Sequence, residues 1–457
     1  MESSSIALII IGVMMILYIT ELIPLAATSL LACISLAVFG VIPLTDAFKG
    51  FGNDIVFLLL GMIVVGDALF ETGVAGSIGK KIISLVGTNE KAFIGALIVV
   101  ILPISIFISN TATMAMALPI AASAIAASGG KLRKKDTYMI IGMASVVGGG
   151  LTLVSSTPQL IAQSLLIEGG YEPIGFFELS YTGLPVVLLL IVYVMTVGHS
   201  LKKKIFNFPE PEDIVSGNQT TAAESGKAPA TAAESGKAPA TAAESGKAPA
   251  AAAESAKTPK DIARMCISVA VLVFCVIGFL TGLWSYGIVA MAGAVICVAT
   301  GCISQQRVFQ KMNWTTVVIM GCSFGIAAGL EQSGAGKLVA HGMISLLGEH
   351  LSPWLLCAAL ALVAVIITNF MSSTATAALL VPIAALVAIE LGYSVKSMVM
   401  SVAIAANIGY ATPISTPPIT MTLAGGYRFM DYVKFGGLFN ILAYLLTIAL
   451  FPLFLIL

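Results

Sequence analysis

"SNTATMAMALPI" at residues 109–120 and "SSTATAALLVPI" at residues 372–383 are two versions of one phrase. Each joins a small polar cluster to Ala-Thr, an apolar run and Leu/Val-Pro-Ile. They stand in opposite halves of a 457-residue chain, and each interrupts a segment otherwise suited to lipid. The chain is 58% hydrophobic and only 10% charged, whereas soluble domains average roughly 25% charged residues. Apolar runs recur at 6–20, 25–43, 54–70, 182–198, 262–283, 285–303 and 431–457. Each approaches the ~20 residues that carry a helix across a bilayer, and a helix satisfies its own backbone there. The composition therefore predicts an all-α polytopic membrane protein. The start, "MESSSIALII", has no basic segment ahead of its apolar run, so a cleaved signal peptide is not expected. The seven cysteines, Cys266, Cys275 and Cys297 among them, lie in apolar runs without CxxC spacing and read as small hydrophobes.

The paired phrase belongs to a larger repeat. "FLLLGM" (57–62) answers "VVIMGC" (317–322), and "SSTPQ" (155–159) answers "ISTPP" (414–418). Gly61 and Gly321 stand 260 positions apart, Ser109 and Ser372 263, and Thr157 and Thr416 259. A near-constant offset is the mark of internal duplication. Residues 1–201 form a first membrane repeat and 262–457 a second. Between them, 202–261 contains "TAAESGKAPA" three times and a decayed fourth copy, too poor in bulky apolar residues to fold alone. It reads as a disordered linker.

Each repeat divides into about five transmembrane helices and one re-entrant hairpin. The first has spans 6–22, 25–43, 54–71, 137–165 and 182–200, with a hairpin at 92–128. The second has spans 262–282, 285–303, 314–331, 397–425 and 431–457, with a hairpin at 354–391. Hydropathy also permits two full spans at 92–128. A Ser-Asn-Thr reversal without glycine or charge suits a turn inside protein better than one at the bilayer surface. Counting spans places all but three of the 23 basic residues on one side, the exceptions being Lys49, Lys337 and Lys396. That side is the cytoplasm by the positive-inside rule, which makes the linker cytoplasmic and both termini extracytoplasmic. Five spans is an odd number, so the second repeat enters inverted relative to the first, as in secondary transporters.

Polar signals concentrate at the two hairpin tips and at two interruptions of long spans, "GGGLTLVSSTP" (148–158) and "GYATPISTPP" (409–418). Glycine triplets and Thr-Pro steps break helices. Ser156/Thr157 before Pro158, and Ser415/Thr416 before Pro417, also read as an N-cap followed by proline at the first helical position. Four half-helices would then start near the bilayer midplane, each presenting unpaired N–H groups and roughly half a positive charge. The breaks contain no Lys, Arg or His. Such a site suits a small dianion held by amides and hydroxyls, with carbonyl and hydroxyl oxygens left for a hard cation such as Na⁺. Other signals are weaker. "GCSFG" (321–325) matches a nucleophile pattern but lies inside an apolar span, so enzymatic chemistry is not expected. His199, His341 and His350 fall at span ends, and Asp67, Glu71, Glu331 and Glu390 near the ends of apolar runs, where snorkelling to the interface is the default.

"ITELIPLAATSLL" (19–31), "SNTATMAMALPI", "NFMSSTATAALLVPI" (369–383) and "ATPISTPP" (411–418) resemble the divalent-anion:sodium symporter family of dicarboxylate, citrate and sulfate carriers. The resemblance covers nearly the whole chain outside 205–260. It implies a homodimer in the plasma (inner) membrane, with a scaffold at the interface and a transport domain that slides as an elevator. It also implies substrate contacts at Asn110, Thr111, Ser373, Thr374 and Thr416. Sodium ligands by the same match are Ser105, Ser109, Asn110 and Thr157, then Thr368, Met371 through its carbonyl, Ser373, Ser415 and Pro417. The family usually has an extra N-terminal span, and none is expected in this sequence. The second tip reads Ser-Ser-Thr where the family has Ser-Asn-Thr, so Ser373 replaces an amide. The leading expectation is sodium-coupled import of a small dianion such as succinate, malate or sulfate. Sodium-independent dicarboxylate exchange on the same fold is the alternative. A cation/proton antiporter would want carboxylates in the breaks, and none is there. The expected partners are the lipid bilayer and a dianionic substrate, with no nucleic acid.

Overall fold

Apolar runs in hydrocarbon must pair their backbone groups within the segment, and helices are the only regular elements among the described residues. A computed structural model describes residues 2–20, 22–74, 89–128, 131–208, 259–312, 314–335, 338 and 352–456. Most of the repeated linker, with His341 and His350, lies outside them. In the first half the helices are α1 (Ser3–Thr20), α2 (Leu25–Val38), a single turn α3 (Leu44–Ala47) and α4 (Asp54–Glu71). There follow α5 (Glu90–Phe107), α6 (Asn110–Ala127), α7 (Lys134–Gly149), α8 (Thr157–Glu168) and α9 (Ser180–Tyr193). A π-helical turn, Val194–Gly198, carries α9 into α10 (His199–Ile205). The second half has α11 (Pro259–Thr281), α12 (Tyr286–Ala299), α13 (Gln305–Lys311), α14 (Trp314–Gln332) and α15 (Pro353–Thr368). It ends with α16 (Ser373–Leu391), α17 (Val395–Ala406), α18 (Pro417–Met421) and α19 (Phe429–Ile456).

Short polar residues set many of these starts. Asn53 opens α4 by accepting from Ile55 N, and Asn89 opens α5 by accepting from Lys91 N and Ala92 N. Ser285, Ser352 and Ser394 do the same for α12, α15 and α17. Each satisfies an amide that the first turn leaves unpaired. Six of the described helical segments are long and apolar enough to cross a membrane, including 90–107, 314–332 and 373–391. α2 ends at Val38, short of the expected 43, because the chain turns at Phe39-Gly40 before Pro43 opens α3.

The helices sort into two packed groups. α2 lies against α14, and α12 against α4, so each half lends its second span to the third span of the other. Ser285 Oγ donates to Asp54 Oδ1 at 2.7 Å and Gly287 N to Asp54 Oδ2 at 3.0 Å, fixing α12 on α4. Cys33 Sγ donates to Cys322 O at 3.1 Å across the α2–α14 contact. The second group is built from the hairpins and broken spans. α7 packs on α5 and α6, and α17 on α15 and α16. α8 then crosses to α16 and α17, while α18 crosses to α6 and α7. The long α9 and α19 run beside each other, Tyr193 donating its hydroxyl to Phe435 O at 2.7 Å.

Two expectations need correction. Asp67 does not snorkel: it is 8% exposed, inside α4 and more than a turn from its end. The fourth half-helix is also far shorter than its counterpart. α18 has five residues against twelve in α8, and a 3₁₀ turn, Thr422–Gly425, follows before Gly426 reverses the chain at φ 82°. A glycine in the left-handed region stops the helix, so the helix-end charge at the second break is smaller than four equal half-helices would supply.

Candidate functional site

The first hairpin turns over only two residues, Ile108 and Ser109. Ser109 caps α6 by accepting from Ala112 N at 3.3 Å, which makes Asn110 the first helical residue. α7 and α5 then hold Asn110 between them, Ser145 of α7 at its backbone and Ser105 of α5 at its side chain. Ser145 Oγ donates to Asn110 O at 2.7 Å, and Ser105 Oγ lies 3.1 Å from Asn110 Oδ1 and 2.5 Å from Ser145 O. The carboxamide rests on the last turn of α7, where a β-carbon on Gly149 would stand 1.9 Å from Asn110 Oδ1. The glycine triplet therefore does more than end a helix, because at 149 it makes room for the amide.

The interruption at 150–156 is tied to the same tip. Thr152 Oγ1 donates to Ile106 O at 2.5 Å, and Ser155 Oγ donates to the same carbonyl, near the end of α5. Gln159, with its amide oriented to donate, reaches Thr152 O at 2.8 Å and Gly149 O at 3.3 Å. Ser156 is the N-cap of α8, as expected, but makes no capping bond. Its hydroxyl donates instead to Asn407 Oδ1, 2.5 Å away in the opposite half.

The second tip meets the interruption at 407–416. Thr368 Oγ1 donates to Ala406 O at 2.7 Å, and Thr412 Oγ1 to Asn369 O at 2.5 Å. Ala411 N donates to Asn369 Oδ1 at 3.1 Å, and Tyr410 N to Asn440 Oδ1 at 2.8 Å. Ser372 caps α16, while Ser373 N donates to Ser415 O at 2.9 Å. Ser415 Oγ turns inward to Gly409 O. Thr416 is the N-cap of α18, again without a capping bond, and its buried Oγ1 has no hydrogen-bond partner. A buried hydroxyl left unpaired costs about 1–3 kcal/mol, and Thr416 shares this state with Thr113 and Ser164.

Of the residues singled out from sequence, Ser105, Asn110, Thr368, Met371, Ser373, Ser415 and Thr416 are buried at the tips and breaks. Ser109, Thr157 and Thr374 are half-buried, and Thr111 and Pro417 are exposed. Sequence reasoning misses Ser145, Gln159, Asn369, Asn407 and Asn440. Asn369 and Gln159 stand inside stretches that the sequence singles out and Asn407 two residues before one, but their contacts are made across helices, which a linear reading does not show.

The site holds no ionisable group apart from the Tyr410 phenol between 105–111, 148–159, 368–374 and 407–418. No cluster of His, Cys, Asp and Glu able to hold a metal occurs among the described residues. Neutral oxygens alone, as around Ser105, Asn110 and Ser145, fit a hard cation such as Na⁺ and do not suit a transition metal.

The known proteins that this chain resembles are transporters. Residues 15–399 match the family model CitMHS, described as citrate transporter. The chain is 24% identical over 437 residues to the sodium-dependent dicarboxylate transporter SdcS of Staphylococcus saprophyticus, covering 90% of this chain and 78% of that one. It is 24% identical over 462 residues to the sodium-dependent high-affinity dicarboxylate transporter 3 of Caenorhabditis elegans, covering 94% and 80%. The fold is shared with the YdaH transporter of Alcanivorax borkumensis, at TM-score 0.52 and 15% identity over 91% of this chain and 87% of that one. The chain belongs to the citrate-transporter family, CitMHS, among the divalent-anion:sodium symporter carriers, and is a multi-pass membrane transporter.

Proposed function

We infer that the chain carries a small dianion, a C4-dicarboxylate such as succinate or malate or else sulfate, into the cell together with Na⁺. The observation that carries this reading is the docking of both hairpin tips onto both breaks. The tip at Asn110 bonds to Ser145 near the end of α7, and the tip at Ser373 bonds to Ser415 just ahead of α18. A tip that meets the middle of a broken span sits near the membrane's midplane, which supports re-entrant hairpins and an inverted repeat. Asn110, Thr111, Ser373, Thr374 and Thr416 would hold the anion through the Asn110 amide, hydroxyls and helix-end N–H groups. Oxygens of Ser105, Ser109, Asn110 and Thr157 would hold one Na⁺. Those of Thr368, Met371, Ser373 and Ser415, with the carbonyl of Pro417, would hold a second. Sodium supplies the countercharge that the site lacks.

The packing supports an elevator in which α5–α8 and α15–α18 move against a frame of α1–α4 and α11–α14, with the frame forming the homodimer contact. The ion pairs support the sidedness. Glu90 pairs with buried Lys202, and Lys135 Nζ donates to Phe208 O at 2.5 Å, among ends assigned to the cytoplasm. Lys396 bridges Glu172 at 2.7 Å and Glu178 at 2.9 Å among ends assigned outside.

One feature favours sodium-independent exchange as a second reading: at Ser373 a hydroxyl stands where the family resemblance leads one to expect an amide. Uptake of labelled succinate, malate and sulfate into proteoliposomes, with and without a sodium gradient, separates the two. Uptake driven by inward sodium is expected. Uptake that ignores sodium and requires internal dianion would replace symport by exchange.

A further inference from the structure

The proposed transport site leaves one cavity unused. It has a volume of about 180 Å³ and lies where α14 of the frame meets α8 and α16 of the hairpin group. Its walls are apolar, with Ile161 and Leu165 from α8, Phe324 and Ala328 from α14, and Ala385 and Leu386 from α16. The lining along α14 runs from Ser323 to Glu331, a length of about 12 Å at 1.5 Å per residue. The inner end is closed chemically, because the Ser323 hydroxyl is spent on Met320 O at 2.7 Å. The other end carries Glu168, Glu331 and Tyr171, and none of the described residues lining the cavity is basic. The charges acting on Glu168 are Lys49 and Asp46, the latter also approached by Gln332 Nε2 at 3.4 Å. Among the described residues, three carboxylates thus face a single ammonium. Glu168 and Glu331 are both exposed at this mouth, where an arriving cation can reach them.

We propose that this slot binds a hydrophobic monocation of the arylalkylamine class, its ring between Phe324, Leu165 and Leu386 and its ammonium between Glu331 and Glu168. An anion would meet two carboxylates at the entrance, and a neutral hydrocarbon would leave them without a counterion. An occupant touches both helix groups at once, so it holds them together and stops the slide. That consequence rests on the elevator reading, whereas the binding does not.

The test uses the purified full-length chain in detergent and three probes of equal size: 4-phenylbutylamine, 4-phenylbutanol and 4-phenylbutyrate. Calorimetry should give saturable binding of the amine, with the alcohol at least tenfold weaker and the carboxylate undetectable. Glu331→Gln should weaken the amine at least tenfold, and Ala328→Phe, which fills the slot, should abolish binding. Equal affinity for alcohol and amine, or unchanged affinity in both variants, would overturn the site. In proteoliposomes the amine should lower the maximal rate of dicarboxylate uptake with an unchanged KM, and E331Q should escape. A raised KM alone would mean competition at the transport site and would overturn the wedge. Absence of dicarboxylate uptake would count against the transport reading and leave the calorimetric result standing.

Discussion

A methyl group on Gly149 would collide with Asn110 Oδ1 at 1.9 Å; that oxygen accepts from Ser105 Oγ at 3.1 Å, while Ser145 Oγ donates to the Asn110 backbone carbonyl at 2.7 Å. Asn110 is therefore fixed without a charged neighbour, which lets one carboxamide offer its oxygen to a cation and its nitrogen to an anion. Gly149→Ala should push the amide off this position while costing about 1–3 kcal/mol of packing strain. We expect at least a tenfold loss in kcat/KM for uptake with the protein still folded, checked by uptake beside a thermal midpoint. Asn110→Ala should abolish transport, because nothing else supplies both functions. Removing the hydroxyl of Ser373 should do less, since a hydroxyl offers less hydrogen bonding than an amide. Equal and total loss at both positions would give Ser373 the same weight as a ligand that Asn110 carries. Restoring the family residue, Ser373→Asn, should steepen the dependence of uptake on sodium concentration.

At the level of elements, the two interruptions are joined by one side-chain bond, Ser156 Oγ to Asn407 Oδ1 at 2.5 Å, with Asn407 Nδ2 held by Ala403 O at 3.1 Å. A double-mutant cycle between Ser156→Ala and Asn407→Ala should show coupling of about 0.5–1.5 kcal/mol, the net worth of one buried hydrogen bond. Strict additivity in thermal stability would show that the breaks are independent. The interruptions themselves are legible in sequence, because glycine triplets and Thr-Pro steps act locally. α4 likewise runs over 54–71 as its apolar pattern requires. Asn407 is not legible in this way, since its partner lies 251 positions away. The shortness of α18 follows from how Gly425-Gly426 folds back, and hydropathy carries no trace of it. Asp67 misleads for the opposite reason: its position near a helix end suggests water, while packing against the other half encloses it.

For the whole molecule, the excess of basic residues on one side makes orientation the most direct prediction. Ser3→Cys should react with an impermeant maleimide in intact cells, and Ser225→Cys in the linker should not. The reverse pattern would invert the carrier. The two halves are also unequal where they should bind cations. The first tip has an asparagine braced by two serines, and the second a lone serine, Ser373. That inequality becomes electrical once the carrier sits in an energised membrane. A dianion travelling with one Na⁺ carries a net negative charge, and moving one charge through 100 mV is worth about 2.3 kcal/mol, close to a fiftyfold change in accumulation. A negative interior would then drive the substrate out. With two ions the loaded carrier is neutral and voltage has no hold on it. Uptake into vesicles clamped with potassium and valinomycin therefore counts the ions: indifference to voltage assigns two, and uptake that falls as the interior is made negative assigns one.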